Sequence, residues 1–382
     1  MANSTFSQVE TSIFEIMSAL ARDSGAINLG QGFPEGLEPR ELIEAAVAAL
    51  RGGPHQYPPM MGLPALRQAV ADNSRRFFGL DADWEREVMV TSGATEALAD
   101  CFLALLEPGD EVIVFEPVYD SYAPIIRRGG AVPVAVKLAP PDWRLPFEQV
   151  RAAITPRTRA LVVNTPMNPI GKVFDETELR FLADLMLEHD LVAICDEVYE
   201  HLVFDDARHA SLFGFADVRD RVARIGSAGK TFSVTGWKVG YVMADAKLLG
   251  PIARAHQFVT FTTPPALQAA VAAGLVLPDS YFAGLKQALR DRRDVLTKGL
   301  NQLGFVVRPA QATYFAVADF TAFDRAGDDL AFCRRMVAQA GVAAIPLSAF
   351  YARRDLRGHI RFCFAKQRDT LERALDHLTR WV

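Results

Sequence analysis

The sequence predicts an α/β protein in which a large unit, built on a mostly parallel sheet covered by helices, is joined to a smaller α+β unit. Three observations carry this. Five apolar runs of strand length, at residues 88–90, 112–115, 160–163, 191–195 and 222–225, are continuous rather than alternating, with Arg224 the one charged residue among them. Runs of that kind are strands buried on both faces, as in parallel sheets with helical layers. Helical periodicity alternates with them, and from about residue 280 the pattern shifts to long helical stretches with short strands at 313–317 and 359–364.

The elements can be justified in order. After the first run comes Thr91-Ser92-Gly93, and then apolar positions recur at Ala94, Ala97, Leu98, Cys101, Phe102, Leu105 and Leu106. This is a 3.6-residue stripe, ended by Pro108-Gly109. The second run leads to Glu116-Pro117-Val118-Tyr119, the third to 164–169 (NTPMNP), the fourth to Asp196-Glu197-Val198-Tyr199 and the fifth to 226–231 (GSAGKT). Ligands of open α/β sheets bind beyond the carboxyl ends of the strands, and the polar and aromatic residues gather there.

Composition narrows the function. The chain has 382 residues, half of them hydrophobic and 23% charged, which fits a globular protein and excludes a disordered one. A net charge of −5 advertises neither nucleic acid nor an anionic membrane as partner. The longest apolar run, 269–277, is far shorter than a membrane span needs, and the first residues lack the basic and apolar regions of a secretory signal. Cys101, Cys195, Cys333 and Cys363 lie far apart, with no CxxC, and read as reduced thiols of a cytoplasmic protein. No histidine pattern suggests a metal site.

Two nucleotide motifs fail. Residues 30–35 (GQGFPE) begin like a dinucleotide fingerprint, but Glu35 stands where the third glycine belongs and Pro34 precedes it. Gly229-Lys230-Thr231 resembles the end of a P-loop, yet Arg224 occupies the position of its first glycine. A pyridoxal 5'-phosphate (PLP) site needs other parts: a lysine, a carboxylate for the pyridine nitrogen, and a phosphate cup. Asp196, at the end of a buried run, and Lys230, 34 residues later among Ser227, Gly229 and Thr231, could supply the first two. Taken singly, they read equally as an ion-paired aspartate and a solvated lysine.

Residues 227–240 (SAGKTFSVTGWKVG) closely resemble the lysine signature of class I/II, fold-type I PLP-dependent aminotransferases. So do 28–34 (NLGQGFP), 56–62 (QYPPMMG), 91–98 (TSGATEAL), 164–174 (NTPMNPIGKVF), 196–204 (DEVYEHLVF) and 360–366 (IRFCFAK), in family order over nearly the whole chain. The resemblance is closest to the methionine aminotransferase and kynurenine aminotransferase (glutamine transaminase K) group. It implies a fold-type I large domain with a seven-stranded sheet at 43–278, a small C-terminal domain at 279–382, and an N-terminal arm at 1–42 that begins the small domain. It also implies a homodimer with shared sites.

Carried over residue by residue, Lys230 would be the Schiff-base lysine and Asp196 the partner of the pyridine nitrogen. Asn168 and Tyr199 would bond the ring's phenolic oxygen, and Tyr119 would stack on the ring. Gly93, Ala94 and Thr95 would cradle the phosphate, at a helix start that favours a dianion on independent grounds. Ser227 and Lys238 would join them, with Tyr57 reaching in from the neighbouring subunit. Arg361 would clamp the substrate carboxylate, where its planar fork suits bidentate binding. Gly32 would leave that carboxylate room, and Phe14 and Phe261 would wall the pocket. Trp237, Tyr314 and Phe350 read as core.

Three departures bear on the substrate. Phe14 replaces the tryptophan of kynurenine-type enzymes, residues 35–38 (EGLE) lack the usual Asp-Phe pair, and Ala312 replaces a glycine. No second arginine can be assigned to a side-chain carboxylate, which favours methionine, glutamine or aromatic donors over aspartate. Succinylated intermediates of lysine synthesis, which related aminotransferases accept, remain an alternative substrate class, and cysteine-conjugate β-elimination an alternative outcome. A PLP-sensing regulator would need a DNA-binding module, and the family motifs fill the chain from about residue 28.

Overall fold

The computed structural model describes residues 4–7 and 9–382. Its strands in chain order are β1 (Ile27–Asn28), β2 (Val88–Thr91), β3 (Glu111–Glu116), β4 (Val132–Lys137), β5 (Thr158–Asn164), β6 (Val192–Asp196) and β7 (Val222–Ser227). There follow β8 (Gly240–Met243), β9 (Val306–Val307), β10 (Phe315–Asp319), β11 (Val342–Ala343), β12 (Ile345–Pro346) and β13 (His359–Cys363).

Seven strands form the main sheet in the order β2-β8-β7-β6-β5-β3-β4. All run the same way except β8, which is antiparallel to both neighbours. The alternation of side chains along each strand distributes the continuous apolar runs over two cores. On β5, Leu161 and Val163 enter one cluster while Ala160 and Val162 enter the other; β6 divides Ala193 and Cys195 from Val192 and Ile194 in the same way. Both faces are thus buried under helices, as the unbroken runs require.

The observed strands extend beyond the apolar runs at their carboxyl ends. Thr91, Glu116, Asn164, Asp196 and Ser227 are all last residues of strands, polar yet ladder-bonded. Because β2, β3, β5, β6 and β7 point the same way, these five residues share one edge of the sheet. Two of this sheet's seven strands were not located by the apolar runs. β4 carries Pro133 and lies at the sheet's margin, where a missing N–H is tolerated, and β8 is short.

A second sheet, β12-β13-β10-β9, is antiparallel throughout. Its β10 begins at Phe315, two residues later than expected, because Thr313 takes a left-handed conformation with φ 69° and ends the approach. Strand β1 pairs in parallel with β11. Among the described residues no single helix is long and apolar enough to cross a membrane. All four cysteines are free and buried.

Candidate active site

A cavity of about 180 Å³ opens at the carboxyl edge of the main sheet. Its walls include Gly93, Ala94, Thr95, Tyr119, Asn168, Asp196, Tyr199, Ser227, Lys230 and Lys238, so ten of the expected residues converge on one space.

The floor is Asp196. Its carboxylate is buried at the end of β6, accepts from the Tyr122 hydroxyl at 2.5 Å, and lies 3.4 Å from the Val198 amide. Burial pushes the Asp196 carboxyl up, against the lowering effect of Tyr122, the Val198 amide and the Lys230 charge. A carboxylate held this way is a strong acceptor for an N–H placed above it. Tyr122, which the sequence did not single out, sits in the helix Tyr122–Arg128, three residues past Tyr119, and the two rings meet edge to face at 5.8 Å.

Lys230 lies in the short helix Ala228–Thr231 that follows β7. Its Nζ donates to the Tyr314 hydroxyl at 3.1 Å, and that hydroxyl in turn donates to the Gly32 carbonyl at 3.1 Å. The rings of Tyr199 and Tyr314 pack edge to face at 5.3 Å. Tyr314 is fully buried in the core, as expected, and its hydroxyl makes it a site residue as well. The clue was its place directly before β10, the middle of the second sheet.

At the opposite wall the helix Ala94–Leu105 begins, with Gly93 at φ 84°. A side chain at Gly93 would come within 3.3 Å of the Lys238 ammonium, so this cation lies over the helix start. Gly240 lets β8 touch the same turn, because a Cβ there would lie 2.7 Å from the Ala94 nitrogen. The Gly93 amide, expected to join the cup, donates instead to the Thr91 carbonyl at 2.8 Å, which leaves the Ala94 and Thr95 amides beside a lysine as an anion site that fits a phosphate monoester.

Arg361, on β13 and 1% exposed, does not line the cavity itself but is bonded to Asn168, which does. Nη1 donates to Asn168 Oδ1 at 2.9 Å and Nη2 to the Gly30 carbonyl at 2.7 Å, while the buried Nε has no partner. Phe315, Phe14 and Phe350 surround it at 3.9, 5.1 and 5.3 Å from their ring centres. Burial lowers its pKa to about 10, which leaves the guanidinium charged at neutral pH. Since arginine only donates, Asn168 must turn its oxygen toward Arg361, leaving Nδ2 as the group free to donate elsewhere. Asn164 fixes this turn by accepting from the Asn168 amide and donating to the Asp196 carbonyl.

Gly32 has a different reason from the expected one. A Cβ there would lie 2.9 Å from the Phe315 ring and 3.1 Å from that of Tyr314, so the close packing of those rings already excludes a side chain. Phe261 and Tyr57 are not brought to this cavity. The helix Ala246–Val259 ends at Thr260, and Phe261 turns outward at φ 71°, where its ring meets Tyr57 at 5.6 Å. Tyr57 is 82% exposed. Of the three departures, residues 35–38 are anchored at Glu35, which pairs with Lys366 at 3.0 Å, and Ala312 is buried.

Arg224, which broke the P-loop pattern, is fully buried and pairs with Glu197 at 2.6 Å and with Glu200. It occupies the centre of a group of Glu197, Glu200 and His209 that would otherwise suit a metal.

Comparison with known proteins agrees with this geometry. The sequence matches the family Aminotransferase class I and II over residues 24–378. It is 44% identical over 380 residues to a probable N-succinyldiaminopimelate aminotransferase of Mycobacterium tuberculosis, covering 97% of this chain and 96% of that one. The solved structure of the M. tuberculosis N-succinyldiaminopimelate aminotransferase superposes with a TM-score of 0.96 over the whole of both chains. The methionine aminotransferase of Escherichia coli is 40% identical over 371 residues, with 97% and 96% of the two chains covered, and its structure gives a TM-score of 0.96 over 100% and 99%. The human kynurenine–oxoglutarate transaminase 1 is 36% identical over 395 residues, covering 95% and 94%. Sequence, fold and cavity agree: the chain belongs to the class I and II aminotransferases, fold-type I enzymes that use pyridoxal 5'-phosphate.

Proposed function

We propose that this aminotransferase moves the amino group of a hydrophobic, sulfur-containing or aromatic L-amino acid to a 2-oxo acid. The observation that carries the substrate class is the aromatic enclosure of Arg361: Phe14, Phe315 and Phe350 offer contact to an apolar side chain and no charge to an acidic one. When bound, the cofactor supplies an electron sink for negative charge at the substrate α-carbon. Lys230 holds it covalently, Asp196 keeps a proton on its ring nitrogen, and Asn168 Nδ2 and Tyr199 donate to its phenolic oxygen. The amides at Ala94 and Thr95, at the turn that Gly93 makes, bind its phosphate with Ser227 and Lys238, the Gly93 amide itself being taken by the Thr91 carbonyl, and Tyr119 covers the ring.

Arg361 orients the substrate carboxylate through its unpartnered Nε and the remaining guanidinium hydrogens. Once the substrate's amino group displaces Lys230 from the cofactor, the freed Nζ would take the α-proton and return it at the cofactor's exocyclic carbon, a base-then-acid role that contributes about 10²–10⁴-fold. Tyr314, bonded to that nitrogen and to Gly32, limits where it can swing. A homodimer would bring Tyr57, and Phe261 beside it, to the neighbouring subunit's site, which accounts for the exposure of this aromatic pair. The cytoplasm suits the four reduced thiols.

The 44% identity to a probable N-succinyldiaminopimelate aminotransferase supports a second reading, in which the donor carries a distal carboxylate. Absorbance spectroscopy of the PLP-loaded protein decides between them. Conversion of the cofactor to its pyridoxamine form by L-methionine without oxo acid supports the first. Conversion by the succinylated donor alone supports the second, and release of pyruvate and thiol from a cysteine conjugate would mark β-elimination.

A further inference from the structure

Behind the phosphate cup lies a buried cluster that none of the roles above uses. His256, fully buried in the helix Ala246–Val259, sits between two elements of the cofactor site. Its Nδ1 is 2.9 Å from Glu96 Oε1, in the first turn of the cup helix, and its Nε2 is 3.1 Å from the Met60 carbonyl. Met60 lies three residues after Tyr57, in the loop expected to reach the partner's phosphate. The other Glu96 oxygen accepts from the Ser92 amide, immediately before Gly93. An unbroken chain of hydrogen bonds therefore runs from the Tyr57 loop through His256 to the turn that presents the phosphate-binding amides.

Both ring nitrogens of His256 face acceptors. A carbonyl oxygen can only accept, and an ionised carboxylate can only accept, so both contacts are made at once only by the doubly protonated ring. Two further features favour that form. Asp100, one turn along the cup helix, brings a second buried carboxylate within 3.7 Å of Nδ1, with neither oxygen hydrogen-bonded. Glu96 and Asp100 are the charged groups that meet the ring from the cup helix; the loop adds only the Met60 carbonyl, and Thr260, after the ring's own helix, bonds Glu96. These bonds and charges raise the imidazole's pKa against the lowering effect of burial.

We propose that His256, held as an imidazolium between Glu96 and the Met60 carbonyl, is a positioning residue that locks the Tyr57 loop to the phosphate cup and so sets the affinity for the cofactor. The proposal rests on the placement of the PLP phosphate at Gly93–Thr95. A neutral ring must release one of its two partners, either freeing the loop or loosening Glu96 from the Ser92 amide, so cofactor binding weakens as pH rises through the raised imidazole pKa.

The test is the dissociation constant of PLP for the full-length protein, freed of cofactor and titrated by absorbance between pH 6 and 9. His256→Phe removes both bonds at similar volume and is expected to weaken PLP about tenfold at pH 7, the worth of one charge-assisted hydrogen bond. Glu96→Gln provides the contrast. Its amide can donate to Nδ1 of a neutral ring while its oxygen keeps Ser92, so affinity is expected to change less than about threefold and to lose the His256-dependent fall with rising pH. Thermal unfolding of the cofactor-free variants shows whether each still folds. A His256→Phe protein that binds PLP as tightly as wild type, or a Glu96→Gln protein with the wild-type pH profile, overturns the proposal. Wild-type protein that takes up no PLP would instead sink the cofactor placement, a failure visible before any variant is made.

Discussion

Arg361 and Asn168, 193 residues apart in sequence, meet through a 2.9 Å hydrogen bond that joins the second sheet to the carboxyl edge of the main one. The bond links the substrate-carboxylate anchor to the residue that would hold the ring's phenolic oxygen. Replacing Arg361 by Lys keeps the charge but loses the fork and the contact with Asn168. The expected result is a fall in kcat/KM of about 10²-fold, mostly through KM for the amino acid, with PLP binding little altered. Steady-state kinetics on two donors checks it, and unchanged KM values would contradict the clamp.

Lys230→Ala is expected to abolish transamination, by about 10⁴-fold or more, and to eliminate the absorbance of covalently held cofactor. Tyr314→Phe should be milder. It removes the hydroxyl that joins Lys230 to Gly32 and should lower kcat about tenfold, the worth of a charge-assisted hydrogen bond. A Tyr314→Phe enzyme with unaltered kcat would return this residue to a packing role.

Asp100 gives a stability prediction with a definite sign. Burial, followed by the nearby Glu96 charge, raises its carboxyl to about 7, whereas in the unfolded chain it ionises near its ordinary value. The folded state therefore holds the proton more tightly. The stability this contributes is complete at low pH and declines as pH climbs from about 4 to 7. Asp100→Asn should leave stability near pH 4 almost unchanged and raise it at pH 8 by on the order of 1–3 kcal/mol. Urea unfolding at the two pH values measures this, and an equal effect at both would show that ionisation is not the cause.

Arg224→Met should be among the most damaging substitutions outside the cavity. It leaves Glu197 and Glu200 buried without their cation, a cost of about 3–5 kcal/mol. Adding Glu200→Gln should recover part of the loss; no recovery would mean the guanidinium acts through its packing.

The sequence made much of this visible because buried parallel strands advertise themselves. Unbroken apolar runs located β2, β3, β5, β6 and β7, and the residue types after them marked the catalytic edge. It concealed what depends on register and direction. Tyr122 and Tyr314 look like any aromatic beside an apolar stretch. Their roles arise only when a helix turns one over Asp196 and β10 brings the other against Lys230. β4 was hidden by its proline and its partly exposed residues, and β8 by a glycine at its start, directly after the lysine segment. Phe261 lies outside this chain's own cavity, on the exposed side with Tyr57, a placement that no apolar run or spacing marks.

The pairing of β1 with β11 has a mechanical meaning. Leu29, just after β1, also takes the Ala343 carbonyl and gives its own carbonyl to the Cys363 amide, so the segment ending in Gly30 and Gly32 is stitched between β11 and β13. Gly30 receives the Arg361 guanidinium, and Phe14 lies over it. The beginning and end of the polypeptide thus form one rigid jaw, set against an anvil made by Lys230 and Asp196. Any movement of that jaw would carry anchor and aromatic lining together, and would have to release Arg361 from Asn168 and Tyr314 from Lys230.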